Sequence, residues 1–169
     1  MKRVLILGVN GFIGHHLSQA IIRSTDWEIY GMDMQADRIG DRTISADQQG
    51  YEALQSRIKA LNDAGRPLRD HHLAKAQCWL DTSFHEYTRN DRGPWPQAAL
   101  TEAEKLVNAM AQKQPLSMDT PLVAGAERIR PDLWARALGL RTHAGWACAQ
   151  AKAACGEVEL VHAGHEQQQ

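Results

Sequence analysis

The chain is short of cysteine, of phenylalanine, of net charge and of long apolar runs, and each shortage excludes something. Its 169 residues hold three cysteines, at 78, 148 and 155, with no CxxC pair among them, so no paired-cysteine motif is encoded. Cys148 and Cys155 fall seven apart in a stretch that reads as helix. That puts them roughly 10 Å apart along the axis, too far for a disulfide without unwinding. A reducing compartment is the expectation from this spacing. Nineteen basic against 20 acidic side chains leave a formal charge of -1, so no basic field points to nucleic acid or anionic lipid. No run approaches the ~18 apolar residues of a membrane span. The apolar stretch Val4 to Val9, behind Lys2 and Arg3, stops at Asn10-Gly11 with no small-residue cleavage site after it. It is read as something other than a signal peptide, with the cytoplasm as the expected address.

β-branched and aromatic residues thin out after the first 35 positions, while Ala, Leu, Gln and Glu are plentiful. That composition argues against an all-β fold. Five Trp stand against two Phe, and the indoles are expected to anchor helix contacts.

Two unlike parts follow one another. Arg3 to Leu7 is a continuous apolar run of the kind found in a strand covered on both faces. Ile13, Leu17, Ala20, Ile21 and Ser24 recur at helical spacing, and Trp27 to Met32 reads as a second strand ending at Asp33. Beyond about residue 42 only helices are expected. Leu54, Ile58 and Leu61 mark one that ends near Gly65-Arg66-Pro67. Leu73, Gln77, Leu80, Phe84 and Tyr87 mark another, and Leu100, Ala103, Val107 and Met110 a third. Pro131 is placed to open a helix over 132–138. A last helix runs from about Gly145 to His162, with Trp146, Ala149, Ala153 and Leu160 inward. The expected fold is a truncated Rossmann-type β-α-β start over 1–42, then an all-α helical-hairpin region over 43–169, mostly α in total.

Gly8, Gly11 and Gly14 form GxxGxxG between the first strand and the first helix. Gly8 permits a tight turn, Gly11 lets the backbone approach a pyrophosphate, and Gly14 lets helix and strand pack closely. The free N–H groups at the helix start then face the phosphate. Asp33 lies at the end of the second strand, where an acid accepts hydrogen bonds from both ribose hydroxyls and favours NAD over NADP.

Residues 2–41, KRVLILGVNGFIGHHLSQAIIRSTDWEIYGMDMQADRIGD, resemble the opening of an extended short-chain dehydrogenase of the NAD-dependent epimerase/dehydratase kind, the UDP-glucuronate oxidative decarboxylases in particular. The resemblance implies a Rossmann fold, NAD and a UDP-sugar substrate. It carries the cofactor positions onto Gly8, Gly11, Phe12, Ile13, Gly14 and Asp33. The catalytic Tyr-x-x-x-Lys pair of that family has no counterpart, because Met34, Gln55 and Asp91 stand four residues after Tyr30, Tyr51 and Tyr87. Without lysine to lower the tyrosine pKa, proton abstraction by a phenolate is not expected. The remainder resembles the helical segment of outer-membrane protein A family envelope proteins, through YEALQSRIKALNDAGRPLRDHHLAKAQCWLDTSFHEYTRND, PQAALTEAEKLV and ACAQAKAACGEVELVHAGHE. That likeness implies an envelope protein that had lost its export signal.

Two functions are carried forward: a catalytically incomplete, NAD-binding-type fragment with a weak or vestigial cradle, and a non-enzymatic helical scaffold offering a surface to a protein partner. No metal site is read. His162 and His165 with Glu159 and Cys155 are taken as a solvated helix end, and His71, His72, His85 and Cys78 as lying on different faces. Glu86, Asp91 and Arg92 are taken as surface charges, and Asp41, Arg42 and Asp47 as a junction loop.

Overall fold

A computed structural model describes residues 2–7, 12–32 and 44–168. The protein is mostly helical, with a small parallel sheet at its start. Strand β1 (Arg3–Leu7) is followed by helix α1 (Phe12–Ser24) and strand β2 (Glu28–Met32). The strands pair in parallel, from Arg3 opposite Glu28 to Leu7 opposite Met32. Parallel neighbours need a crossover, and α1 supplies it. Ile6 and Ser18 are buried, whereas Leu5 and Tyr30, opposite one another in the register, are 59% and 48% exposed. One face of this two-stranded sheet is therefore open, as is expected when so few strands are present.

The helices that follow are α2 (Ile44–Asp63), α3 (His71–Thr88), α4 (Trp95–Ala111), α5 (Pro131–Leu140) and α6 (Trp146–Glu166). Their ends follow local chemistry. After α2, Gly65 adopts φ +103, and the Asn62 amide donates to the Arg66 carbonyl at 2.7 Å. Only glycine takes that φ without strain. Asp70 caps α3 by accepting from the His72 and Leu73 backbone N–H groups at 3.1 and 2.9 Å. Pro131 opens α5 at its first turn, as its fixed φ favours. Asp47 lies within α2 and so is not a junction-loop residue; Asp41 and Arg42 lie outside the described residues.

Helix α3 is the hub and packs against α2, α4 and α6. Trp79 and Trp95 are wholly buried at its centre, with ring centroids 5.9 Å apart. Leu73, Leu80, Ala99, Ala103, Val107, Val158 and Val161 complete the core around them. Tyr51 on α2 donates its hydroxyl to Ser83, which donates in turn to the Pro96 carbonyl, at 2.8 and 2.6 Å. That relay ties α2, α3 and α4 together through satisfied polar groups.

The expected inward stripes need two corrections. Phe84 is 42% exposed, lying against Tyr51 at the body's edge, because α3 is enclosed on several sides and buries Ala76, Trp79 and Ser83 instead. On α6 Ala153 is buried as expected, in a row with Ala154, Glu157, Val158, Val161, Gly164 and His165, whereas Trp146 and Ala149 are only half-buried.

Candidate functional site

The sequence-derived site divides between described and undescribed residues. Phe12, Ile13 and Gly14 form the start of α1. Gly8, Gly11 and Asp33 lie outside the described residues. Because the strands are parallel and Leu7 pairs with Met32, both strands finish at the same sheet edge, from which α1 starts after a short connection. In doubly wound folds such an edge is where ligands bind.

A second constellation is in the helical body, and sequence reading missed it. Lys75 on α3 is 1% exposed and Glu157 on α6 is 1% exposed, with 2.9 Å between ammonium and carboxylate. Lys75 Nζ also donates to the Met118 carbonyl at 2.9 Å and to Thr120 Oγ1 at 2.7 Å. Thr120 Oγ1 donates to Glu157 Oε2 at 2.6 Å, and Arg141 Nη2 donates to Glu157 Oε1 at 2.9 Å. Burial pushes the Glu157 carboxyl upward, yet the hydrogen bonds from Thr120, Lys75 and Arg141 outweigh it and hold it below its ordinary value. Burial lowers the Lys75 ammonium, against the pull of Glu157. Ion pairs removed from water persist only when their remaining bonds are filled, as those of Lys75 and Glu157 are, although Arg141 Nε is buried without a hydrogen-bond partner. Both charges are engaged inside the protein.

His71 stands beside this network. Its Nδ1 lies 3.3 Å from the Gln150 carbonyl, and burial with the nearby Lys75 charge lowers it from 6.5 to about 4. His72 takes a separate partner, the Ser117 carbonyl at 3.2 Å, although its ring meets the His71 ring edge-on at 5.3 Å, so the adjacent histidines do not part as expected.

Cys148 and Cys155 are unpaired with one another as expected, but the chain does hold a disulfide. Cys78 on α3 is bonded to Cys155 on α6, with 5.4 Å between their Cα atoms and a sequence separation of 77. Spacing within α6 excluded only the Cys148–Cys155 pair; the true partner sits on the facing helix. Cys148 is free and exposed.

Glu86 also departs from expectation. It is 9% exposed rather than a surface charge, and its Oε1 lies 3.6 Å from His162 Nε2. Glu166 Oε1 lies 3.7 Å from the same nitrogen. The rings of His162 and His165 both stack on Trp95, at 4.6 and 5.2 Å, and His165 Nδ1 donates to the Ala124 carbonyl at 2.8 Å. The end of α6 is thus an ordered, half-buried cluster and not a solvated one. Asp91 accepts from the Gly93 backbone at 2.6 Å, and the Arg92 guanidinium lies over the Tyr87 ring.

No helix among the described residues is long and apolar enough to cross a membrane. No protein-family model matches the chain, and no solved structure matches it either.

Proposed function

We propose that this protein is a non-enzymatic helical interaction module, built on α2 to α6 and braced between α3 and α6. The observation that carries this reading is the Lys75–Glu157–Arg141 network. The buried lysine and glutamate at the α3–α6 interface bond to one another and to Thr120 and Met118. Groups committed in this way hold helices in place; a general acid or base needs a reacting group within hydrogen-bond reach. The Cys78–Cys155 bond supports an oxidising compartment for such a module. That agrees with the envelope-protein resemblance better than with a cytoplasmic address. Leu68, Leu122 and Leu138, 74%, 44% and 61% exposed, supply apolar contact area of the kind interfaces use. Turnover is the test. Full-length protein with NAD and UDP-glucuronate is expected to form no NADH above a no-protein control, and formation that scales with protein would refute the reading.

The parallel pairing of β1 and β2 across α1 favours a second reading, a weak dinucleotide cradle at Gly8, Gly11 and Asp33. Gly11→Val would fill the space a phosphate needs, and Asp33→Ala would remove the ribose acceptor. A lost charged hydrogen bond is worth about 1.5–3 kcal/mol, which is roughly 10- to 150-fold in affinity. Calorimetric titration with NAD, ADP-ribose and NADP separates the readings. Saturable NAD binding that both variants weaken supports the cradle, and equal behaviour of wild type and variants removes it.

A further inference from the structure

We propose that Glu86, His162 and Glu166 form a binding site for one divalent transition-metal ion, with Zn2+ the best fit. Glu86 comes from the last turn of α3, and His162 and Glu166 stand one turn apart on α6. Each offers one ligand atom, and these atoms lie within 4.8 Å of one another. Tetrahedral zinc with bonds of about 2.0–2.2 Å sets its ligand atoms roughly 3.3 Å apart. The Nε2 to Oε1 separations of 3.6 and 3.7 Å are therefore close to those of a filled site.

The state of the nitrogen is a second sign. His162 Nε2 is buried from solvent and makes no hydrogen bond, although two carboxylates face it. Other buried side-chain nitrogens among the described residues, His71 Nε2 included, also lack a hydrogen bond; what distinguishes His162 Nε2 is the pair of carboxylates that face it. A cation between His162, Glu86 and Glu166 would meet it. The ring cannot easily turn away, because it stacks on the wholly buried Trp95 at 4.6 Å and 21°. On its other edge Nδ1 faces Glu159 Oε2 at 4.0 Å. At that separation the exposed Glu159 carboxylate is beyond hydrogen-bond reach, so the ring is held by its stacking on Trp95.

Donor type selects the metal. One imidazole and two carboxylates neutralise a divalent ion, and the nitrogen disfavours calcium and magnesium, which prefer all-oxygen shells. A fourth position falls to water, because the nearby His85 Nε2, 3.6 Å from Glu86 Oε1, is engaged by Arg89 Nη1 at 3.3 Å. Arg89 Nη1 lies 3.8 Å from the same oxygen, but it is 67% exposed and solvent-screened, so it is a weak competitor. The ion would clamp the end of α3 to the end of α6, adding to the disulfide higher up the same pair of helices.

The test uses full-length protein carrying Cys148→Ser, so that the exposed thiol takes no metal, stripped with chelator and then dialysed. Titration with zinc chloride by calorimetry is expected to give saturable one-to-one binding, with a higher melting temperature in zinc. Glu166 is half exposed, so Glu166→Gln leaves folding intact; it should weaken binding about tenfold or more. Glu86→Gln should do the same in whatever fraction folds. No saturable binding in the parent protein, or equal affinity in Glu166→Gln, would overturn the site.

Discussion

Lys75 and Glu157 show how a charged side chain can be a core residue. Removing one partner of a buried pair leaves the other uncompensated, at a cost of about 3–5 kcal/mol. Glu157→Ala strips Lys75, Thr120 and Arg141 of their shared acceptor, and should lower unfolding free energy by that amount in urea titrations. A loss below about 1 kcal/mol would mean that the network is solvated. His71 makes a pH-dependent contribution of known sign. Its folded value, lowered to about 4, lies below its ordinary 6.5. The unfolded chain therefore takes up the proton first, and stability is lost as pH falls from 6.5 toward 4. Lys75, Glu157 and His72 all face it. Between pH 7 and pH 5 the expected loss is about 2 kcal/mol, and His71→Gln should flatten that slope. Gly164 is a third test, because a Cβ there would collide with the Glu127 carbonyl oxygen, where the Glu127 N–H reaches the Gly164 carbonyl at 3.2 Å. Gly164→Ala should cost about 1–3 kcal/mol in the same assay.

At the scale of elements, the strands and the helix boundaries were legible because their causes are local. A continuous apolar run made β1, Gly65 stopped α2, and Pro131 opened α5. The contents of the α3–α6 interface were not legible. Lys75 lies off the apolar stripe of its helix, Glu157 sits on the inward row between Ala153 and Leu160 but carries no apolar signal, and the two stand 82 residues apart in the chain. Cys155 was compared with its neighbour on the same helix, while Cys78 faced it from α3. Glu86 and His162 meet for the same reason, from opposite ends of the helical part. The disulfide predicts its own contribution. Closing so long a loop constrains the unfolded chain by about 2–4 kcal/mol, or roughly 4–16 °C in melting temperature for a chain of this size. Thermal melts with and without reductant should show that difference, and Cys78→Ala should abolish it.

For the whole molecule, the proposed reading makes α2 to α6 a scaffold that needs no nucleotide. The principal contacts run within β1–α1–β2 and within α2–α6, and the bonds that tie α3 to α6 are internal to the helical part. Stability in such a body concentrates where burial is deepest, which is around Trp79, Trp95 and Val158. Native-state amide hydrogen exchange on the full-length protein, with and without millimolar NAD, tests this most directly. The account predicts the slowest exchange in α3, α4 and α6, at rates that NAD leaves unchanged. Protection of those helices that arises only when NAD is present would contradict it.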